Sequence, residues 1–153
     1  MSDVEAKLKS LGISLPEPKA PVANYVPFVI AGDLVFISGQ VSFGADGLIT
    51  GKVGDALSVE DGVAAARVCG VNLLAQLKVA CDGDLNRLVQ VVKLGAFVNC
   101  GPDFTDQPAV ANGASDLMVE VFGDAGRHAR AAVGAPALPL DAAVEIDGVF
   151  QIR

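Results

Sequence analysis

The sequence has few residues of the kinds that bind metals, stack on nucleic-acid bases or form disulfides. It contains one histidine, one tyrosine and no tryptophan. The three cysteines, Cys69, Cys81 and Cys100, are an odd number without metal-ligand spacing, so we expect buried free thiols in a reducing compartment. Because no Cys or His stands at ligand spacing from the lone histidine, His128, no metal site is predicted.

Charge is also scarce, and it is acidic. Only 19% of the residues are charged, and 11 basic against 18 acidic residues give a formal net charge of −7. A chain with this balance repels a polyanion, which argues against nucleic acid as the main ligand. No uninterrupted apolar run approaches the roughly 20 residues that span a bilayer, and the acidic residues 1–5 do not resemble a signal peptide. A soluble, cytoplasmic protein is expected.

Apolar residues are abundant, by contrast, and they are mostly aliphatic. They make up 52% of the 153 residues, although only 5% are aromatic. This length predicts a single domain over residues 1–153 with one core. The apolar surplus indicates that another subunit covers part of the surface.

The predicted elements alternate between strands and helices. Ser2 is predicted to cap a short helix over residues 3–11, and a proline-rich arm then continues to residue 24. The remaining predicted elements are strands at 25–30, 34–41, 88–99, 128–134 and 143–152, and helices at 59–81 and 108–122. This order implies an α+β fold with one mixed sheet and both long helices on one face.

The last two predicted strands carry the charged residues that are best suited to binding or catalysis. In the penultimate strand Arg130 shares a face with Ala132, and in the last strand Glu145 and Asp147 point away from the apolar face. If these strands pair through the turn near Pro139, an arginine and a carboxylate lie within reach of one pocket. On neighbouring strands such a pair is usually a structural ion pair, and a functional site is the alternative.

These residues also form a recognisable signature. The segments 128–133 (HARAAV), 138–139 (LP) and 144–147 (VEID) resemble the closing motif of the YjgF/RidA family, also called L-PSP. Upstream, Ser38–Gln40 and Tyr25 resemble its second hallmark and its pocket tyrosine. The sequence is most similar to a longer subgroup of the family, on the basis of three segments: 15–16 (LP), 112–117 (NGASDL) and 126–130 (GRHAR).

The resemblance implies a fold, an assembly and an activity. The fold would be chorismate-mutase-like, and three copies would form a homotrimeric barrel with helices outside and clefts between subunits. The best-understood members of the family hydrolyse enamines and imines such as 2-aminoacrylate to a 2-keto acid and ammonia, without metal or organic cofactor. A small carboxylate would therefore be the substrate, and members of the longer subgroup mostly have no assigned one.

The same resemblance implies roles for individual residues. Arg130 would hold the substrate carboxylate, and Glu145 would orient and deprotonate a water. Tyr25 would supply an aromatic wall and a hydroxyl, while Ser38 and Gly39 would bring backbone close to the ligand.

Four further residues have less defined roles. Ala132 stands where many family members have a cysteine. Asn112 and Asp116 are alternatives for a family asparagine that approaches the pocket. His128 starts the strand on the Arg130 face, where a structural role is favoured over a catalytic one.

Three functions compete at this stage. Hydrolytic deamination of 2-imino acids is the leading hypothesis, because Glu145 is retained. A non-catalytic trimer that binds a carboxylate metabolite through Arg130 is the second. An endoribonuclease or translation inhibitor is ranked last, since the chain lacks a basic stripe and stacking aromatic residues.

Overall fold

The computed structural model describes residues 3–18 and 23–153. Its helices are α1 (Val4–Ser10), α2 (Val59–Ala80) and α3 (Gln107–Phe122). Its strands are β1 (Phe28–Ala31), β2 (Leu34–Val41), β3 (Phe43–Gly44), β4 (Gly47–Leu48), β5 (Leu88–Asn99), β6 (Ala129–Ala135) and β7 (Val144–Ile152).

Five of these strands form one mixed sheet in the order β1-β2-β7-β5-β6. Only β5 and β6 run parallel, whereas the other neighbours are antiparallel. Helices α2 and α3 pack on each other and on one face of this sheet, which confirms the predicted α+β architecture. Alternation along β7 places Val144, Ile146 and Phe150 in the core, as predicted.

Helix α2 is the central core element. It begins with the predicted capping box: the Ser58 hydroxyl accepts from the Asp61 amide at 3.1 Å, and the Asp61 carboxylate accepts from the Ser58 amide at 3.0 Å. With 22 residues and a mean hydropathy of 1.3, α2 meets the length and composition of a membrane span. However, 56% of that stretch is buried in the fold, as in the core helix of a soluble protein.

The N-terminal region differs from the prediction in two places. Asp3 caps α1, because its carboxylate accepts from the Glu5 amide at 3.0 Å. The predicted cap Ser2 and the arm residues 19–22 lie outside the described residues. Strand β1 begins at Phe28 instead of residue 25, since Pro27 has no amide hydrogen to continue the ladder.

The predicted pairing of the last two strands is wrong. Strand β5 lies between β6 and β7, so the two strands do not touch as neighbours. The connection crosses the end of β5, where the buried Asn99 side chain donates to the Asp141 carboxylate and to the Ala142 carbonyl, both at 3.0 Å. These hydrogen bonds hold the crossing chain over β5 instead of allowing a tight hairpin.

Close contact between α2 and α3 depends on the absence of a side chain at Gly113. A Cβ at this position would lie 2.1 Å from the Val63 carbonyl oxygen, and a helix backbone cannot yield easily. We expect Gly113→Ala to lower the free energy of unfolding by about 1–3 kcal/mol or more. Urea denaturation checks this, with Gly101→Ala as control because a Cβ there meets nothing within 4 Å. Equal midpoints for the two variants would contradict the packing argument.

Candidate functional site

Arg130 lies on the edge strand β6 and points towards helix α3. Its partner in β5 is Leu94, which is buried under the helices, so the guanidinium is on the helix face of the sheet. The Nη1 atom donates to the Asn112 Oδ1 at 2.7 Å and to the Ser115 Oγ at 3.1 Å. Both hydrogens of Nη1 are therefore used by α3.

Ser115 is itself fixed by His128. The Ser115 Oγ and the His128 Nε2 are 2.9 Å apart, and the His128 Nδ1 is 2.7 Å from the Gly126 carbonyl oxygen. A carbonyl only accepts, so Nδ1 carries a proton, and in the neutral ring Nε2 accepts from the serine hydroxyl. A continuous chain of hydrogen bonds thus runs from Gly126 to the guanidinium.

This arrangement leaves one side of the guanidinium available. Among the described residues, no carboxylate forms an ion pair with Arg130, so the structural ion pair considered for Arg130 and Glu145 is not formed within the chain. Nε and Nη2 donate to no described group. They form the side-on fork that binds a carboxylate in two parallel hydrogen bonds.

Glu145 lies on the other face of the sheet. Its partners in the ladders are Val41 of β2 and Phe97 of β5. The carboxyl group lies against Gly39, where a Cβ would come within 2.9 Å of the Glu145 Cδ. Burial, with a smaller contribution from the Asp147 charge, raises the pKa of the Glu145 carboxyl above its ordinary value.

Tyr25, Ser38 and Gly39 are close to one another around an irregularity in β2. The pairing of β2 with β7 shifts between Ile37 and Gln40. There the Ser38 amide donates to the Pro27 carbonyl, and the Ser38 hydroxyl donates to the Val26 carbonyl, each at 2.9 Å. This bulge presents the Gly39 backbone beside Glu145.

The candidate residues from the sequence, together with Ser115, therefore form two groups. The arginine group contains Asn112, Ser115, His128, Arg130 and Ala132, and the glutamate group contains Tyr25, Ser38, Gly39 and Glu145. Because β5 separates β6 from β7, and strands lie about 4.8 Å apart, the two groups are separated in one chain and lie on opposite faces. The expectation that pairing of the last two strands brings Arg130 and Glu145 together is thus wrong within a single copy.

Of the two residues considered for the asparagine that approaches the pocket, Asn112 is the one that lies beside Arg130. Asn112 contacts Arg130 directly, whereas Asp116 is exposed and has no hydrogen bond or ion pair with any described residue. Ser115 is a further residue of the arginine group that the sequence motifs did not indicate. Its spacing of three residues from Asn112 on a helix placed both side chains on one face, and this signal could have identified it.

The face of the sheet that carries Glu145 is apolar, and no helix within residues 3–18 or 23–153 covers it. Phe36, Phe97 and Val133 are 45%, 36% and 47% exposed. Val29 pairs with Phe36, and Phe97 pairs with Val133, so these side chains form cross-strand rows. Such a surface is typical of a subunit interface.

A cavity of about 630 Å³ adjoins the glutamate group on the side towards α2. The N-terminal arm covers it with residues 14–18, and α2 forms the opposite wall. Tyr25, Ser38 and Gly39 all border this cavity. The space is within the range of about 300–1,000 Å³ that small-molecule sites occupy.

Comparison with curated proteins identifies two kinds of relatives. The chain is 48% identical to Protein TCP17 of Trypanosoma cruzi, over 98% of this chain and 94% of that protein. It is 27% identical to a 2-iminobutanoate/2-iminopropanoate deaminase of Dermatophagoides farinae, over 92% and 95% of the two chains.

Two solved structures differ in the same way in their similarity to this chain. The protein Atu1372 of Agrobacterium tumefaciens, of unknown function, is 46% identical with a TM-score of 0.92, over 98% of this chain and 92% of that one. TdcF of E. coli, solved with bound serine, is 24% identical with a TM-score of 0.61, over 90% and 94%, and shows the shared fold. TCP17, Atu1372 and this chain form a subgroup distinct from canonical RidA.

One family description covers nearly the whole chain. The family described as "YjgF/chorismate mutase-like, putative endoribonuclease" matches residues 5–149. Within this match lie both groups of site residues and all of the five-stranded sheet except the last three residues of β7. The chain therefore belongs to the YjgF/RidA family, in which it shares the α+β chorismate-mutase-like fold and falls in a subgroup distinct from canonical RidA.

Proposed function

We propose that this protein hydrolyses 2-imino acids to 2-keto acids and ammonia, in sites that two copies of the chain complete together. The observation that carries this proposal is the separation of two complementary groups: a pre-oriented guanidinium at one edge of the sheet, and a half-buried carboxyl group at a distance from it. The arginine group as defined above contains a cation but no carboxylate, and the glutamate group contains a carboxylate but no cation. A ring of copies with a heterologous interface would bring the arginine group of one copy to the glutamate group of the next.

The apolar open face supports this assembly. Phe36, Phe97 and Val133 would be covered in a homotrimeric barrel, and Glu145 would then lie in a water-poor environment. Burial of this kind keeps the pKa of the carboxyl raised, towards the range in which a general base works well. The cytoplasmic location remains a prediction.

The chemistry follows from these positions. Nε and Nη2 of Arg130 would bind the substrate carboxylate, and Glu145 would take a proton from a water as its oxygen bonds to the imine carbon. Glu145 passes this proton to the imine nitrogen, which gives an adduct with a hydroxyl and an amino group on one carbon. Glu145 then takes the hydroxyl proton as the carbonyl forms and the carbon–nitrogen bond breaks, and it returns that proton to the nitrogen, which leaves as ammonia. Tyr25 and the Ser38 hydroxyl oxygen would line the side from which the substrate approaches.

The experiment generates an imino acid with an amino-acid oxidase and follows its disappearance with and without this protein. Accelerated formation of 2-keto acid and ammonia supports the proposal. Saturable binding of 2-keto acids without any acceleration favours the alternative, a carboxylate-binding protein without catalytic activity.

A prediction concerns the serine that holds the guanidinium. Ser115→Ala removes one of the two acceptors on Nη1 and leaves the fork free to rotate, so we expect KM to rise about tenfold with a smaller change in kcat. Ser115→Thr keeps the hydroxyl and should restore most of the affinity. Steady-state kinetics on one imino acid measures both, and an unchanged KM in Ser115→Ala would show that Ser115 does not position Arg130.

A further inference from the structure

The cavity beside the glutamate group is much larger than the smallest imino acids need. It is about 630 Å³ in volume, of which 2-aminoacrylate would occupy a small part. Its walls are mostly apolar. They include Pro16 from the arm, Val41 and Phe43 from the segment after the bulge, and Val68 and Val71 from α2.

Several polar side chains also border the cavity, among them Glu17, Arg67 and Asn72, and the most deeply buried of them is Gln76. Gln76 of α2 is 4% exposed and borders the cavity. Its amide has no hydrogen bond to any residue in the described part of the chain, and no polar side-chain atom described there is both sealed from solvent and unpartnered. The Gln76 amide must therefore reach the cavity, where a ligand or a water has to satisfy it.

The cavity reaches the residue that lies against the proposed base. Gly39 touches the Glu145 carboxyl on one side and borders the cavity on the other. A substrate whose imine carbon lies beside Glu145 would thus direct its side chain past Ser38 and Gly39 towards α2. A side chain at Gly39 would collide with the Glu145 carboxyl and displace it from this position.

Resting on the proposed function, we infer that the cavity binds the substrate's side chain and selects 2-imino acids with long side chains. The class is defined by the lining: apolar over most of the length, with an uncharged polar group that reaches Gln76. Each methylene buried in the apolar part should raise kcat/KM about fourfold. The imino acids formed from methionine and glutamine should therefore exceed the one formed from alanine by at least about tenfold.

Two variants that fill the cavity test whether the substrate's side chain binds there. Val71→Phe, at a half-buried position on the wall, and Ala64→Phe, at an exposed position on the rim, would occupy the space from α2. We expect both to lower kcat/KM for the methionine-derived imino acid at least tenfold more than for the alanine-derived one. Val79→Phe is the matched control, because Val79 is on the same helix, 50% exposed and not in the lining, and should not change this ratio.

A third variant tests the polar contact. Gln76→Leu removes the amide and keeps a similar volume, so kcat/KM should fall about tenfold for the glutamine-derived imino acid and should rise for the leucine-derived one. Equal effects on the two substrates would show that Gln76 does not contact the side chain.

Binding of the 2-keto acid products separates this inference from the proposed activity. By calorimetry, 4-methyl-2-oxopentanoate should bind at least tenfold more tightly than pyruvate, whether or not the protein turns over imines. Equal affinities, or filling variants that weaken both ligands alike, would overturn the inference while leaving the hydrolase proposal intact. If no imino acid is hydrolysed but the affinity ratio holds, the hydrolase proposal fails and the cavity assignment stands.

Discussion

Arg130→Ala is expected to lower kcat/KM for 2-imino acids by about 10²- to 10⁴-fold. Nε and Nη2 would donate two charge-assisted hydrogen bonds to the substrate carboxylate, each worth about 1.5–3 kcal/mol. The loss corresponds to that energy, since about 1.4 kcal/mol is a factor of ten. Product binding should weaken with it, because the 2-keto acid keeps the same carboxylate.

Two further substitutions show whether geometry or only charge matters. Arg130→Lys keeps the positive charge but cannot form the fork or hold both Asn112 and Ser115 in the same way, so it should recover only part of the activity. Arg127→Ala is the matched control, because Arg127 is exposed and its ion pair with Asp124 is on the surface. Full activity in Arg130→Lys would exclude the bidentate clamp.

Glu145→Gln is expected to lower kcat by about 10²- to 10⁴-fold with a smaller change in KM. Glutamine has nearly the same shape but cannot take a proton from water. Single-turnover measurements with a saturating imino acid would isolate the chemical step. A kcat within a few-fold of wild type would remove Glu145 from its role as base.

The same carboxyl gives the activity and the stability opposite dependences on pH. Its pKa is raised in the folded chain, so kcat/KM should fall with decreasing pH through a limb that lies above the ordinary value of 4.5. Asp147→Asn removes the neighbouring charge and should move this limb to lower pH.

For stability the sign is reversed, because the folded chain binds this proton more tightly than the unfolded chain. Below pH 4.5 Glu145 is protonated in both the folded and the unfolded chain, so it does not lower the stability. Above the raised pKa it is ionised in both, and its destabilisation of the folded chain has reached its full size. Glu145→Gln should therefore melt at a higher temperature than wild type at pH 7 and at a similar temperature at low pH. A lower melting temperature at pH 7 would contradict the pKa shift.

Local features of the fold could be predicted from the sequence because local rules determine them. The Ser58–Asp61 capping box starts α2, and alternation along β7 separates Ile146 from Glu145. These features depend on residues within a few positions of one another. They also define which face of each strand is polar.

The order of the strands was harder to predict, because it depends on distant segments. Strand β5 inserts between β6 and β7, and the Asn99 side chain that holds the crossing is about forty residues earlier in the chain. This insertion decides that Arg130 and Glu145 do not meet within one copy. The Gln76 cavity is equally non-local, since α2 and the arm at residues 14–18 form it together.

The measurement that tests the composite site most directly mixes two inactive variants. Arg130→Ala keeps the glutamate group and Glu145→Gln keeps the arginine group, so co-refolding equal amounts should restore activity at interfaces where the two intact groups meet. Random assembly of a ring with a heterologous interface predicts about one quarter of wild-type activity. If the co-refolded mixture is as inactive as the separate variants, the two groups do not form one site across copies, and the account is wrong.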